Sequence, residues 1–176
     1  MSGSLNYALW LLPPDDVRAR FAQLIREIAA TNDTPEFDPH ITLLEAIDGD
    51  EGPLRAGIRE LAFNTQPIEV RLTEANYLDE FHRALFIMVE PAAAVLAARA
   101  EAQARFATEN DRPYMPHMSL LYGNLAVPTK ESLLDRIGHR FDMAFRVSQL
   151  LLVAVAGPQP SHWRYVERFP LGNAAS

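Results

Sequence analysis

The chain has no cysteine, and only one of its 16 basic residues, Lys130, is a lysine. The missing thiols exclude thiolate catalysis, a disulfide scaffold and Cys-ligated zinc. At 176 residues the chain is long enough to bury a core without such staples. Positive charge is also short, for the net charge is −7. That balance argues against a long nucleic-acid track, which needs a basic stripe to release counterions. It leaves room for a small phosphorylated ligand in a locally positive pocket. The hydrophobic stretch Leu5–Leu12 has no basic residue before it and stops at Pro13-Pro14. It is too short to span a bilayer and lacks the charged flank of a signal peptide, so a soluble, cytoplasmic, monomeric protein is expected. P-loop, nucleophile-elbow and dinucleotide motifs are absent, and Gly157-Pro158-Gln159-Pro160 reads as a turn. The acids near the motifs described next, Asp38 and Glu45, do not recur between copies. Neither a metal nor a cofactor is expected.

What the chain does contain is one phrase written twice. Pro39-His40-Ile41-Thr42-Leu43-Leu44 and Pro116-His117-Met118-Ser119-Leu120-Leu121 both read Pro-His-apolar-hydroxyl-Leu-Leu, with the histidines 77 positions apart (117 − 40). Chance would produce the pattern at only a few positions per million, on the order of average residue usage. Two similar lobes, each offering a His and a hydroxyl to a shared place, account for the repeat.

The surrounding pattern supports duplication. Leu5–Leu12 reads as a buried strand, and Pro14-Asp15-Asp16 opens a helix whose Val17, Phe21, Leu24 and Ile28 keep helical spacing to about Ala30. The first motif follows as a strand to about Ile47, then a helix over Leu54–Ala62. Alternating Ile68, Val70 and Leu72 predict a strand, Leu85–Val89 another, with Asp79 and Glu80 in the turn between. Pro91 starts an Ala-rich helix, and the second motif is a strand near Tyr114–Tyr122. A short helix near Pro128–Ile137 and strands near Val147–Ala156 and His162–Phe169 complete an α+β chain. Each half resembles a split βαβ unit, and no linker separates them, so residues 1–176 are expected to form a single bilobal domain.

In a strand, His40 and Thr42 face one way while Ile41 and Leu43 face the other; His117 and Ser119 share a face in the same manner. Two imidazoles across a cleft are the equipment of general acid–base catalysis near neutrality. One ring takes a proton from water, and the other gives one to a leaving oxygen. Thr42 and Ser119 then serve as donors to non-bridging phosphate oxygens. Cleavage of an activated phosphodiester, such as a strained cyclic phosphate, needs these parts and no metal. His139 and His162 lack such a context and are expected at the surface, whereas His82 begins a strand that could run near the cleft.

These residues resemble the two-histidine (2H) phosphoesterase superfamily, whose signature is a paired His-x-Thr/Ser-x. The likeness is nearest to plant and yeast cyclic phosphodiesterases. It rests on Tyr7-Ala8-Leu9-Trp10-Leu11-Leu12-Pro13, on Pro39-His40-Ile41-Thr42, on Pro113 through Tyr122, and on the segment around Trp163. The resemblance implies two antiparallel sheets around a central cleft, with helices outside. It implies metal-independent hydrolysis of ADP-ribose 1″,2″-cyclic phosphate and nucleoside 2′,3′-cyclic phosphates, carried by His40, Thr42, His117 and Ser119. Tyr122 and Trp10 would line the substrate site, and Phe81 or His82 would stack on a base. Strand parity points Tyr122 away from His117 unless the strand twists or ends there, and Trp10 fits a core position equally well. His117 is assigned as base and His40 as acid, with the reverse also open. Plant members carry cysteines that this chain lacks, so redox control is not expected. Two other readings remain open: action on RNA termini as a 2′,3′-cyclic phosphodiesterase or 2′–5′ RNA ligase, and a nucleotide-binding module without turnover.

Overall fold

The computed structural model describes residues 6–106 and 112–172; Leu5 lies outside the described residues. The order is β1 (Asn6–Leu12), α1 (Asp15–Asn32), β2 (Ile41–Ile47), α2 (Glu51–Asn64), β3 (Ile68–Asn76), β4 (Leu85–Val89), α3 (Ala93–Phe106), β5 (His117–Leu121), α4 (Val127–Ile137), β6 (Arg140–Val147), β7 (Gln149–Val155) and β8 (Trp163–Pro170). All strand pairs are antiparallel, in the order β6-β3-β4-β5-β2-β1-β7-β8. The two four-stranded lobes, β6-β3-β4-β5 and β2-β1-β7-β8, meet through one residue pair, Ile41 with Met118. The chain is thus α+β and antiparallel, as its pattern predicts, and the two expected sheets touch at a single rung. Among the described residues no helix is long and apolar enough to cross a membrane.

The lobes are not the halves of the chain. The lobe carrying His40 takes β7 and β8 from the C-terminal end, while β3, which follows the first motif, belongs to the lobe carrying His117. Within each lobe the strands flanking the long helix, β1 with β2 and β4 with β5, are direct antiparallel neighbours. The helices are exchanged as well: α1 packs on β5 and α3 on β2. Each motif strand is therefore backed by the helix of the other repeat, which locks the lobes together.

Local chemistry explains the elements. Pro14 takes the extended conformation ahead of α1, and Asp15 and Asp16 sit in its first turn, where the positive end of the helix dipole favours acids. The helix buries Val17, Phe21, Ile25, Ile28 and Ala29, and ends where Asp33 adopts a left-handed φ of 51° and its N–H bonds to the Ala29 carbonyl. Strand β6 is absent from the sequence reading, although Phe141, Met143, Phe145 and Val147 alternate across it. It is an edge strand paired only with β3, so its outer residues stay half exposed and the hydrophobic contrast is weak.

The Leu-Leu doublets that end both motifs have a structural cause. Pairing of β1 with β2 slips by one residue between Leu9 and Trp10 and again between Tyr7 and Leu9, with Ala46 in a left-handed φ of 56°. Pairing of β4 with β5 slips between Leu85 and Phe86. An extra residue in one strand shifts the side-chain alternation by one. Leu43 with Leu44, and Leu120 with Leu121, therefore all enter the main core beneath the helices. On the opposite face of the sheet, Ala8, Trp10 and Leu12 of β1 and Leu151 and Val153 of β7 form a second, smaller cluster. That face carries the site.

Candidate active site

Ile41 pairs with Met118 in antiparallel register. Extending that register by one residue in each direction sets His40 across from Ser119 and Thr42 across from His117. The two histidines then lie on one diagonal of a four-residue array and the two hydroxyls on the other. Both apolar partners at the rung, Ile41 and Met118, are fully buried on the helix side. Tyr114 and Arg99 stitch the seam where the ladder stops: the Tyr114 hydroxyl donates to the Thr42 carbonyl at 3.0 Å, and Arg99 donates to the Leu43 carbonyl at 2.7 Å.

The imidazoles are held alike. His40 Nδ1 lies 2.7 Å from the Asp38 carbonyl oxygen, and His117 Nδ1 lies 2.8 Å from the Met115 carbonyl oxygen. A carbonyl can only accept, so Nδ1 carries the hydrogen in both rings and Nε2 is left as the basic nitrogen. Each ring is anchored two residues upstream, across the Pro39 or Pro116 that opens its motif.

The surroundings differ. His40 is only 6 % exposed, and Trp10 stacks on its face with ring centroids 3.5 Å apart and planes 7° from parallel. Phe37 and Trp163 meet it edge-on at 6.4 and 6.2 Å. This apolar shell pushes the His40 pKa down from 6.5 to about 4; the Asp38 carbonyl opposes the shift and the nearby His117 adds to it. Burial lowers the His117 pKa too, against the Met115 carbonyl; Arg83 adds to the lowering while Glu45 and Glu80 oppose it. Phe86, opposite Ser119 on β4, sets its ring 5.4 Å from that of His117.

The hydroxyls are in different states. The Thr42 side chain makes no hydrogen bond among the described residues, whereas Ser119 Oγ donates to the His82 carbonyl at 2.8 Å. Ser119 therefore holds the short turn Phe81–Arg83 against the cleft. Lys130, buried in α4, secures the approach to that turn with Nζ 2.9 Å from the Leu78 carbonyl oxygen and 3.2 Å from Asp79 Oδ1. His82 reaches across to the other lobe, its Nε2 2.8 Å from the Pro158 carbonyl oxygen.

The structure brings Trp10, Phe81, His82 and Tyr122 to this face. Trp10 is buried against His40, so it is both a strand core residue and part of the site's wall. Tyr122 joins the cluster because the one-residue slip at Leu120–Leu121 reverses the alternation that would have turned it away. Its ring stacks on Phe37 at 3.7 Å and meets His82 edge-on at 5.1 Å. Phe81 lies 4.9 Å from His82 and 6.3 Å from Tyr122. His139 and His162 are exposed at the surface. Sequence reasoning missed Phe37, Phe86 and Tyr165. The available signals were the aromatic three residues before His40 and the aromatic next to Ile87, on the opposite face of β4, but neither identifies a site without the register.

Comparisons with known proteins place the chain in a family. Residues 13–159 match the 2'-5' RNA ligase superfamily. The cyclic phosphodiesterase of Arabidopsis thaliana is 25% identical over 154 residues, covering 83% of each chain. A Thermus thermophilus protein superposes with a TM-score of 0.67 at 19% identity, covering 94% of this chain and 97% of its own. E. coli LigT complexed with 3'-AMP superposes with a TM-score of 0.65 at 13% identity, covering 96% and 99%. With a match over most of its length and the paired His-hydroxyl array in place, the chain belongs to the 2'-5' RNA ligase superfamily, the 2H phosphoesterases.

Proposed function

We propose that this protein hydrolyses the cyclic phosphates of small nucleotides by two-histidine general acid–base catalysis, without a metal. The observation that carries this reading is the pair of imidazoles beside the Ile41–Met118 rung, each tied at Nδ1 to a backbone carbonyl so that Nε2 is the nitrogen that exchanges protons. Water oxygen attacks phosphorus as one Nε2 removes its proton. The bond from phosphorus to one ring oxygen breaks, and the other Nε2–H protonates that oxygen as it leaves. Each transfer contributes ~10²–10⁴-fold.

Burial lowers the pKa of both rings, that of His40 the more strongly, which favours His40 as the base and His117 as the acid. This reverses the order favoured by the sequence. Thr42 donates to a non-bridging oxygen. Ser119 does the same once its hydroxyl turns from the His82 carbonyl. Nucleoside 2′,3′-cyclic phosphates and ADP-ribose 1″,2″-cyclic phosphate are the substrates to test. Similarity to the Arabidopsis cyclic phosphodiesterase and the net charge of −7 both favour small nucleotides over long RNA.

The deciding assay is hydrolysis of both substrate classes in excess chelator, with phosphorus NMR of the products. Turnover should survive chelation and fall at least ~10²-fold in His40→Ala and in His117→Ala. Loss of activity on chelation, or an undiminished His→Ala variant, refutes the mechanism. Faster turnover of an oligonucleotide ending in the same cyclic phosphate would shift the assignment to RNA termini. Nucleotide binding with no hydrolysis of any cyclic phosphate would leave only a binding module.

A further inference from the structure

Asp38 is engaged at both ends. Its carbonyl receives the His40 Nδ1–H at 2.7 Å, while its carboxylate receives the Tyr165 hydroxyl at 2.7 Å through Oδ2. Arg18, in the first turns of α1, places a guanidinium nitrogen 3.8 Å from the same Oδ2 and another 3.4 Å from Asp15. The Tyr165 ring also meets Trp10 edge-on at 5.8 Å, and Trp10 is the ring stacked on His40. Helix α1 and strand β8 thus converge on the residue whose peptide oxygen sets the His40 tautomer. Burial and the Asp38 bond both push the Tyr165 pKa up, so the hydroxyl remains a donor.

The equivalent place in the other lobe is built differently. The carbonyl that holds His117 belongs to Met115, whose side chain has neither charge nor a strong hydrogen-bonding group. Residues 33–40 run between α1 and β2 with no regular secondary structure. A carbonyl in such a segment holds an imidazole at one angle only if its peptide plane is itself restrained. Tyr165 supplies that restraint from a strand, through a hydrogen bond to an ionised acceptor, which is among the stronger kinds.

We infer that Tyr165 is a positioning residue for His40: by clamping the Asp38 side chain it orients the Asp38 carbonyl, and so keeps His40 in the Nδ1–H tautomer with Nε2 free. The inference rests on His40 being a proton-transfer group, and the test separates the two claims. Long-range ¹H–¹⁵N correlation of ring-labelled protein at neutral pH reads the His40 tautomer without any substrate. Wild-type protein shows the Nδ1–H form. Tyr165→Phe and Asp38→Ala should each show a mixture of tautomers, with kcat down about tenfold and KM within about twofold, the split expected when an aligned group is lost but binding is kept. Asp38→Asn keeps an acceptor for Tyr165, and should lose clearly less kcat than Asp38→Ala.

Thermal unfolding of all three variants checks that the fold is retained; Tyr165 and Asp38 are partly exposed, so a large loss is not expected. A Tyr165→Phe protein with the wild-type tautomer and wild-type kcat overturns the clamp. Equal losses in Asp38→Asn and Asp38→Ala overturn it too, because charge rather than the hydrogen bond would then matter. If instead His40→Ala keeps full activity while Tyr165→Phe still mixes the tautomers, the clamp stands and the catalytic reading falls.

Discussion

Acid should destabilise this protein through His40 by an amount that can be worked out in advance. The ring's folded pKa is about 4, against an ordinary 6.5 in the unfolded chain. The folded state therefore binds fewer protons than the unfolded state throughout the interval between those values. Stability falls as pH drops below 6.5 and levels off below about 4. At ~1.36 kcal/mol per pKa unit, lowering the pKa from 6.5 to about 4 sets a full penalty of roughly 3 kcal/mol. Most of it, about 2 to 3 kcal/mol, is realised between pH 7.5 and 4.5, and about 1 kcal/mol by pH 5.5. That is a large share of the ~5–15 kcal/mol that keeps a domain folded.

The perturbation is His40→Asn, which cannot titrate. It also loses the Trp10 stack, but that loss is independent of pH and appears as a constant offset. Urea unfolding at half-unit steps from pH 7.5 to 4.5, with the m-value checked at each step, gives both curves. Other groups, His117 included, titrate in both proteins and largely cancel in the difference. The wild-type curve should fall about 2 to 3 kcal/mol further than the variant's. Curves that stay parallel within ~0.5 kcal/mol would refute the claim that the apolar shell of Trp10, Phe37 and Trp163 holds His40 neutral.

Three further outcomes are expected. The pH profile of kcat/KM should be a bell centred below 6.5, because His40 must be neutral and His117 protonated while both pKa values are lowered; in His117→Ala the alkaline limb should vanish and the acid limb remain. Trp10→Leu should raise the His40 pKa toward 6.5 by admitting water to the ring's face, which NMR titration of the ring reads directly and an unchanged value would contradict. Lys130→Met removes both bonds that secure Leu78 and Asp79, and should cost ~1–3 kcal/mol in urea unfolding by leaving the Leu78 carbonyl unpaired; a neutral result would mean that water reaches that carbonyl.

The reading of the repeated phrase shows where sequence is informative. Strand parity correctly put His40 with Thr42 and His117 with Ser119, because alternation is a local property of extended chain. The same rule failed at Tyr122, three residues after Ser119, because β5 slips by one residue against β4. The Leu120-Leu121 doublet marks that slip. Strand β6 was overlooked because an edge strand buries too little to stand out, even with Phe141, Met143, Phe145 and Val147 in alternation.

Local sequence accounts for the elements with strong periodicity, the absence of thiol chemistry, and the four polar side chains that make the candidate site. How they meet depends on the fold. One rung, Ile41 with Met118, sets each histidine across from the other motif's hydroxyl. Interleaved lobes bring β8 and its Tyr165 beside Asp38, 127 residues away in sequence. Burial by aromatics from four separate segments makes His40 and His117 unlike, although their motifs nearly match. Periodicity reports what a residue's own backbone does, whereas register, burial and proton affinity depend on partners that the fold alone supplies.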